Sequence, residues 1–83
     1  MVVALKYPLS TEKAIRLIES DNIITFIVDK NATKSKIKQE MKEKFNAQVD
    51  SIRTQITKKG KKAYIKLKPE TLAIDIATLL GIM

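Results

Sequence analysis

Hydrophobic and polar positions change their spacing several times along the 83 residues, and each change marks an element. Met1 to Leu5 opens an apolar run, and Val2–Tyr7 reads as a short first strand. Pro8 biases Tyr7 to an extended backbone and is expected to stop further pairing. From Thr11 to Ser20 the apolar residues Ala14, Ile15, Leu17 and Ile18 fall on one helical face. Ser10 or Thr11 offers an N-cap, Glu12 suits the first turn, and Asp21-Asn22 breaks the helix. Asn22–Lys30 is β-branched and apolar on both faces, with Ile24, Phe26 and Val28 on one side and Ile23, Thr25 and Ile27 on the other. That pattern predicts an interior strand covered on both sides.

Thr33 is placed to cap a second helix running to about Asn46. Ile37, Met41 and Phe45 recur every fourth residue as a narrow apolar stripe, and lysines occupy the other faces. Glu40 stands four residues before Lys44, the favourable order for an exposed ion pair. Gln48–Lys58 then alternates. Ile52, Thr54 and Ile56 share one face, and Ser51, Arg53 and Gln55 form a polar one. Ala63, Ile65 and Leu67 alternate in the same way after Gly60, whose tolerance of positive φ suits a hairpin tip. Pro69 ends pairing. Glu70 and Thr71 open a third helix with Leu72, Ile76, Leu79 and Leu80 as its apolar side, and Gly81 stands at the C′ position.

The order strand–helix–strand–helix–strand–strand–helix predicts an α+β fold. It is a single compact domain over residues 1–83, with a mainly antiparallel sheet of three to four strands and helices packed on it. There is no internal repeat and no low-complexity linker.

Composition narrows the function. The chain contains neither cysteine nor histidine, which removes disulfides, thiolate metal sites and the commonest general base and metal ligand. Its serines have no histidine to activate them, its two glycines form no phosphate loop, and its carboxylate pairs carry no metal-ligand pattern. The expectation is therefore a protein that is not an enzyme and needs no cofactor or metal. No apolar run approaches the ~20 residues of a membrane span, and Met1–Leu5 is too short for a signal peptide, which points to the cytoplasm.

Charge adds a direction. The net charge is +7. Residues 30–68 hold thirteen Lys/Arg against three Asp/Glu, and the remainder holds three against six. A surface serving only solubility mixes its signs more evenly, whereas a polyanion-facing surface segregates them. The hairpin lysines Lys58, Lys59, Lys61 and Lys62 would repel one another without an anion beside them. Arg53 adds a planar, bidentate donor. Tyr64 lies with Lys66 on the polar side of its strand, where it either stacks on a base or ribose or covers core with its ring. Lys34 and Lys36 either contact phosphate or form an ordinary solvated helix face. The four aromatics are scattered and make no stacking platform, which favours shape and backbone recognition of folded RNA.

Three stretches together resemble one family. Tyr7-Pro8-Leu9-Ser10-Thr11-Glu12-Lys13-Ala14 resembles its Pro-x-x-[Ser/Thr]-Glu-Lys-Ala opening. Ala32-Thr33-Lys34-Ser35-Lys36-Ile37-Lys38 followed by Phe45 resembles its Ala-Thr-Lys-x-x-Ile-Lys…Phe helix, and Gly60-Lys61-Lys62-Ala63-Tyr64-Ile65-Lys66-Leu67 its Gly-Lys-Lys-Ala-Tyr-Val-x-Leu strand. This is the universal large-subunit ribosomal protein family numbered twenty-three. Each motif alone is weak; together, in order and at compatible spacing, they are specific. The resemblance implies binding to large-subunit ribosomal RNA beside the nascent-chain exit tunnel, among neighbouring ribosomal proteins. It also implies a docking surface for the signal recognition particle, the protein-conducting channel and, in bacteria, the trigger-factor chaperone. Glu12 matches the acidic docking residue of bacterial members. Those members carry a long hairpin insertion, whereas Thr57–Lys62 closes in a few residues, as in the short archaeal type.

The expected function is thus a structural constituent of the large ribosomal subunit. The residues expected at rRNA are Lys6, Lys13, Lys34, Lys36, Arg53, Lys58, Lys59, Lys61, Lys62, Tyr64 and Lys66, and those expected at protein partners are Glu12, Glu19 and Asp21. Two rivals are a free-standing basic RNA chaperone and a protein-interaction module whose lysines only solubilise it.

Overall fold

The elements run β1 (Leu5–Pro8), α1 (Glu12–Asp21), β2 (Ile23–Val28), α2 (Lys34–Phe45), β3 (Val49–Thr57), β4 (Gly60–Leu67) and α3 (Ala73–Leu79). The structure, a computed structural model, describes residues 4–58 and 60–82. Four strands form one sheet in the order β1-β2-β4-β3, with every neighbouring pair antiparallel. The α+β class and the element order are those the pattern predicts.

β2 is interior, and Ile24 through Val28 are all buried. Its alternation feeds two layers. Phe26 and Ile24 lie opposite Ala63 and Ile65 of β4, and this face forms the main core. α2 covers it with Ile37, Met41 and Phe45, whose ring centroid lies 6.3 Å from that of Phe26. α3 closes the same core with Ala73, Ile76 and Ala77. Thr25 and Ile27 point to the second face, where α1 brings Ala14 and Leu17 against β2. One helix therefore covers β2 on this side and leaves β3 and β4 open.

Thr11 caps α1 by accepting from the Ala14 N–H at 3.2 Å, and Thr33 caps α2 from the Lys36 N–H at 3.2 Å. Gly81 takes a φ of +77° at the end of α3. Its N–H donates to Thr78 and that of Ile82 to Ala77, the paired bonds of a Schellman ending.

Several expectations are corrected. Pro8 does not end pairing. It lies opposite Phe26, and the Leu9 N–H donates to Thr25 O at 2.9 Å. β1 is an edge strand, so proline's missing donor faces no neighbour. The part of the first strand expected at Val2 and Val3 lies outside the described residues. Gly60 is not the hairpin tip. It opens β4 opposite Thr57 at a φ of +127°, and the Thr57 hydroxyl donates to its carbonyl at 2.8 Å. Ile56 does not reach the core, being 83% exposed where the hairpin outruns the helices. On α3 the buried stripe is Ala73, Ile76 and Ala77, whereas Leu72 and Leu79 face solvent.

Glu40 departs furthest from its sequence reading. It is 4% exposed. Its carboxylate accepts from the Ala4 N–H and, at 3.4 Å, from the Leu5 N–H, so it anchors the start of β1. Lys44 approaches it at 3.4 Å. Burial alone would raise its pKa, but the Ala4 and Leu5 N–H groups and the Lys44 ammonium outweigh burial and hold it below its ordinary 4.5.

Asn22 joins the other end of the fold. It takes the left-handed conformation, φ 57°, that terminates α1. Its amide nitrogen donates to Thr71 O at 2.8 Å and shares longer contacts of 3.3 Å with Leu67 O and Lys68 O. Its side-chain oxygen accepts from the Ala73 N–H at 2.7 Å, capping α3 where Leu72 offers no side-chain cap.

Two predictions follow from these anchors. Asn22→Gly keeps the backbone conformation but loses the side-chain bonds, and chemical denaturation is expected to show a loss of about 1–3 kcal/mol. Asn22→Ala should lose about 1 kcal/mol more for its left-handed φ. Glu40→Gln should cost about 1–3 kcal/mol at neutral pH. Glu40's folded pKa is lowered, so its contribution is present above 4.5 and disappears as pH falls through the lower folded value. The gap between wild type and variant should therefore close on acidification, read from denaturation midpoints across pH.

Candidate nucleic-acid interface

The open second face is built from three rows across β3, β4 and β2. Arg53 lies beside Tyr64, which lies opposite Thr25. Gln55, Lys62 and Ile27 form the next row, and Ser51, Lys66 and Ile23 the third. Side chains directly opposite in such rows stand about 5 Å apart at Cβ. Alternation thus sets Lys62 and Lys66 on either side of Tyr64, with Arg53 across from it. Arg53 and Lys66 are exposed, and Lys62 and Tyr64 half-buried. The Tyr64 hydroxyl donates to Gln55 Oε1 over a long 3.4 Å.

α1 borders this face. Lys13, Leu17 and Asp21 recur at four-residue spacing and line a cleft of about 450 Å³ with Arg53, Gln55 and Tyr64. The fold therefore brings together Lys13, Arg53, Lys62, Tyr64 and Lys66, which are scattered over 54 positions of sequence. Gln55 lies beside Arg53 on this surface as the alternation predicts, whereas Leu17 and Asp21 join it although the sequence reads them as core and as a protein contact. The signal for the helix pair is present in the sequence, since Leu17 and Asp21 continue the four-residue spacing from Lys13 along a stripe that adjoins Ala14 and Ile18.

Other expected residues stand elsewhere. Lys61 alternates with Lys62 and points to the core side, where its ammonium donates to Ala32 O at 2.8 Å and pins the turn before α2. Two of the four hairpin lysines, Lys61 and Lys62, therefore stand on opposite faces of the sheet. Lys58 is exposed in the turn, and Lys59 lies outside the described residues. Lys6 is exposed on the edge strand β1. Lys34 and Lys36 occupy the first turn of α2, which holds no acidic residue, so their charge adds to the positive end of the helix dipole.

The carboxylates gather at the other end of α1. Glu12 is the exception, held by Arg16 at 3.0 Å in an exposed ion pair. Glu19 and Asp21 line a second cleft of about 770 Å³ with Asp50, and its apolar walls include Ile18, Leu72 and Ile74. Asp21 borders both clefts. Among the described residues no group of three potential metal-ligating side chains occurs, and no helix is long and apolar enough to cross a membrane.

Fold and surface define a small basic α+β protein that carries positive charge on a half-open sheet face and acidic charge at one end. The chain belongs to the ribosomal protein L23 family, whose model matches residues 3–72. It is 49% identical over 79 residues to the large ribosomal subunit protein uL23 of Methanococcus vannielii, a match spanning 94% of this chain and 92% of that relative. Members of the family are structural proteins of the large ribosomal subunit and are generally not enzymes.

Proposed function

We propose that this chain binds large-subunit ribosomal RNA through the open face of its sheet, in the cytoplasmic ribosome beside the polypeptide exit tunnel. The observation that carries this reading is the convergence of Lys13, Arg53, Lys62 and Lys66 around Tyr64 on the face that the helices leave uncovered. The lysines neutralise phosphate, Arg53 fixes orientation by bidentate contact, and the sheet behind them holds their spacing. Its partners are rRNA and neighbouring ribosomal proteins. The short hairpin, two residues between Thr57 and Gly60, suits a member that docks against RNA rather than one extending a long arm.

The second part of the reading concerns nascent-chain factors such as the signal recognition particle and the protein-conducting channel. The cleft is rimmed by Glu19, Asp21 and Asp50 against the single cation Lys66, a balance that disfavours RNA, and it offers the apolar Leu72 and Ile74 to a protein. Leu72 is 50% exposed and Ile74 41%, so apolar area is available there for burial. Glu12 stands exposed at the opposite end of α1 as a further acidic contact.

Two measurements test these parts. Binding to rRNA fragments is followed over a salt series. One structured fragment should be retained at moderate salt, and replacing Arg53, Lys62 and Lys66 by Ala should lower the slope of log K against log salt by about 2–3. An unchanged slope, or equal binding to every fragment, would count against the rRNA site and favour the chaperone or interaction-module alternatives. For docking, Glu19→Lys with Asp50→Lys should weaken signal recognition particle binding to reconstituted ribosomes about tenfold and leave rRNA affinity undiminished. Undiminished factor binding would remove this cleft from the docking surface.

A further inference from the structure

The cleft between α1 and the open sheet face contains a feature that phosphate binding does not explain. Asp21 lines it together with Arg53 and Tyr64. The carboxylate forms no ion pair among the described residues and stands in the last turn of α1, where the helix dipole disfavours it. A phosphate-only surface would be weakened by such a group.

We propose that this cleft is a nucleobase seat, receiving one unpaired nucleotide of an RNA and preferring guanine; the assignment rests on the rRNA-binding reading above. Lys13 and Asp21 are eight residues apart on one helix, about 12 Å along its axis. A nucleotide spans a comparable distance from phosphate to the far edge of its base. The ammonium and the carboxylate therefore fix the direction of insertion, with phosphate at Lys13 and base edge at Asp21. Leu17 stands between them as an apolar wall, and Tyr64 offers its ring to the base from the sheet side. Stacking accepts any base. Discrimination comes from Asp21, whose two oxygens match the adjacent N1–H and N2–H donors of guanine. Adenine and cytosine offer an amino group alone, and uracil a single ring N–H.

A second observation points into the same place. Lys13, Leu17 and Tyr64 also line a small void of about 30 Å³ that reaches Thr25. Thr25 is 1% exposed, and its hydroxyl has no hydrogen-bond partner among the described residues. A buried hydroxyl without a partner is uncommon and costly. The void is large enough for one water, which would connect the hydroxyl to the ribose of a seated nucleotide.

The test is a titration of the isotope-labelled full chain with GMP, AMP, CMP and UMP at constant ionic strength, followed by the amide resonances of Leu17, Asp21, Gln55 and Tyr64. These residues should respond to nucleotides and not to inorganic phosphate, with GMP binding about tenfold more tightly than UMP. Asp21→Asn should abolish that preference, and Tyr64→Leu should weaken all four ligands alike, each variant being first checked for the wild-type fold by its amide spectrum. Equal response to inorganic phosphate, no response in the cleft at millimolar nucleotide, or an unaltered preference in Asp21→Asn would overturn the proposal. If rRNA fragments bind one site while the cleft stays silent, the seat fails and the rRNA reading stands. If the cleft selects GMP but no fragment is preferred, the seat stands and that reading fails.

Discussion

The arrangement of both clefts depends on Asn22. One residue ends α1, begins the approach to β2, holds the end of β4 and caps α3. Its amide has two hydrogens, and three carbonyls within 3.3 Å compete for them, so Thr71 at 2.8 Å takes one and the β4 end shares the other. The backbone adds a bond from the Leu67 N–H to Asn22 O at 3.1 Å. Four elements are thereby tied at a residue whose left-handed φ is among the few that asparagine tolerates well. This junction sets the angle at which α1 lies over the sheet. That angle decides how far Lys13, Leu17 and Asp21 stand from Arg53 and Tyr64, and how wide the acidic cleft opens.

Glu40 does the corresponding work at the opposite end, by different physics. A carboxylate taken out of water is expensive unless hydrogen bonds replace its hydration. Here two backbone N–H groups and one ammonium do so, and the N–H groups would otherwise begin β1 with no partner. α2 is thus fastened to the edge strand by charge and to β2 by Ile37, Met41 and Phe45. α2, which carries five lysines, is anchored twice. Such anchoring matters in a chain of net charge +7, where self-repulsion opposes folding before a polyanion arrives.

Much of this was legible in the sequence because it rests on local periodicity. The β-branched run Ile23–Val28 could only be an interior strand, and the threonines before α1 and α2 cap them as their positions suggest. The failures share a cause: each depends on a partner distant along the chain. Glu40 does pair with Lys44 as its spacing predicts, but it reads as exposed because its two backbone partners are 35 and 36 residues away. Pro8 reads as a terminator unless β1 is known to lie at the edge. Ile56 keeps a strand's alternation past the point where helices cover the sheet, so the pattern is right and the burial is not. Lys61 and Lys62 read as one cluster, although adjacent strand residues face opposite ways by construction. On the site side, the basic members of the open face are legible from charge, and Asp21, read as a contact for protein partners, borders both the acidic and the basic cleft.

Sorting by sign is adequate for long-range attraction and inadequate at contact distance. At range, the lysines would dominate and draw the domain to any polyanion, with no information about where it stops. Specificity has to come from groups that reject most arrangements, and a carboxylate beside arginine and lysine rejects more than any further cation would. In the proposed seat a misplaced phosphate would meet repulsion at Asp21, and a base edge with a single donor would leave one of its oxygens unsatisfied. On that proposal, the same residue that weakens general affinity would narrow the set of RNA structures that fit. In a fold with only four aromatics and no stacking platform, one carboxylate held at a fixed distance from one ammonium by two turns of helix is an economical way to convert attraction into position.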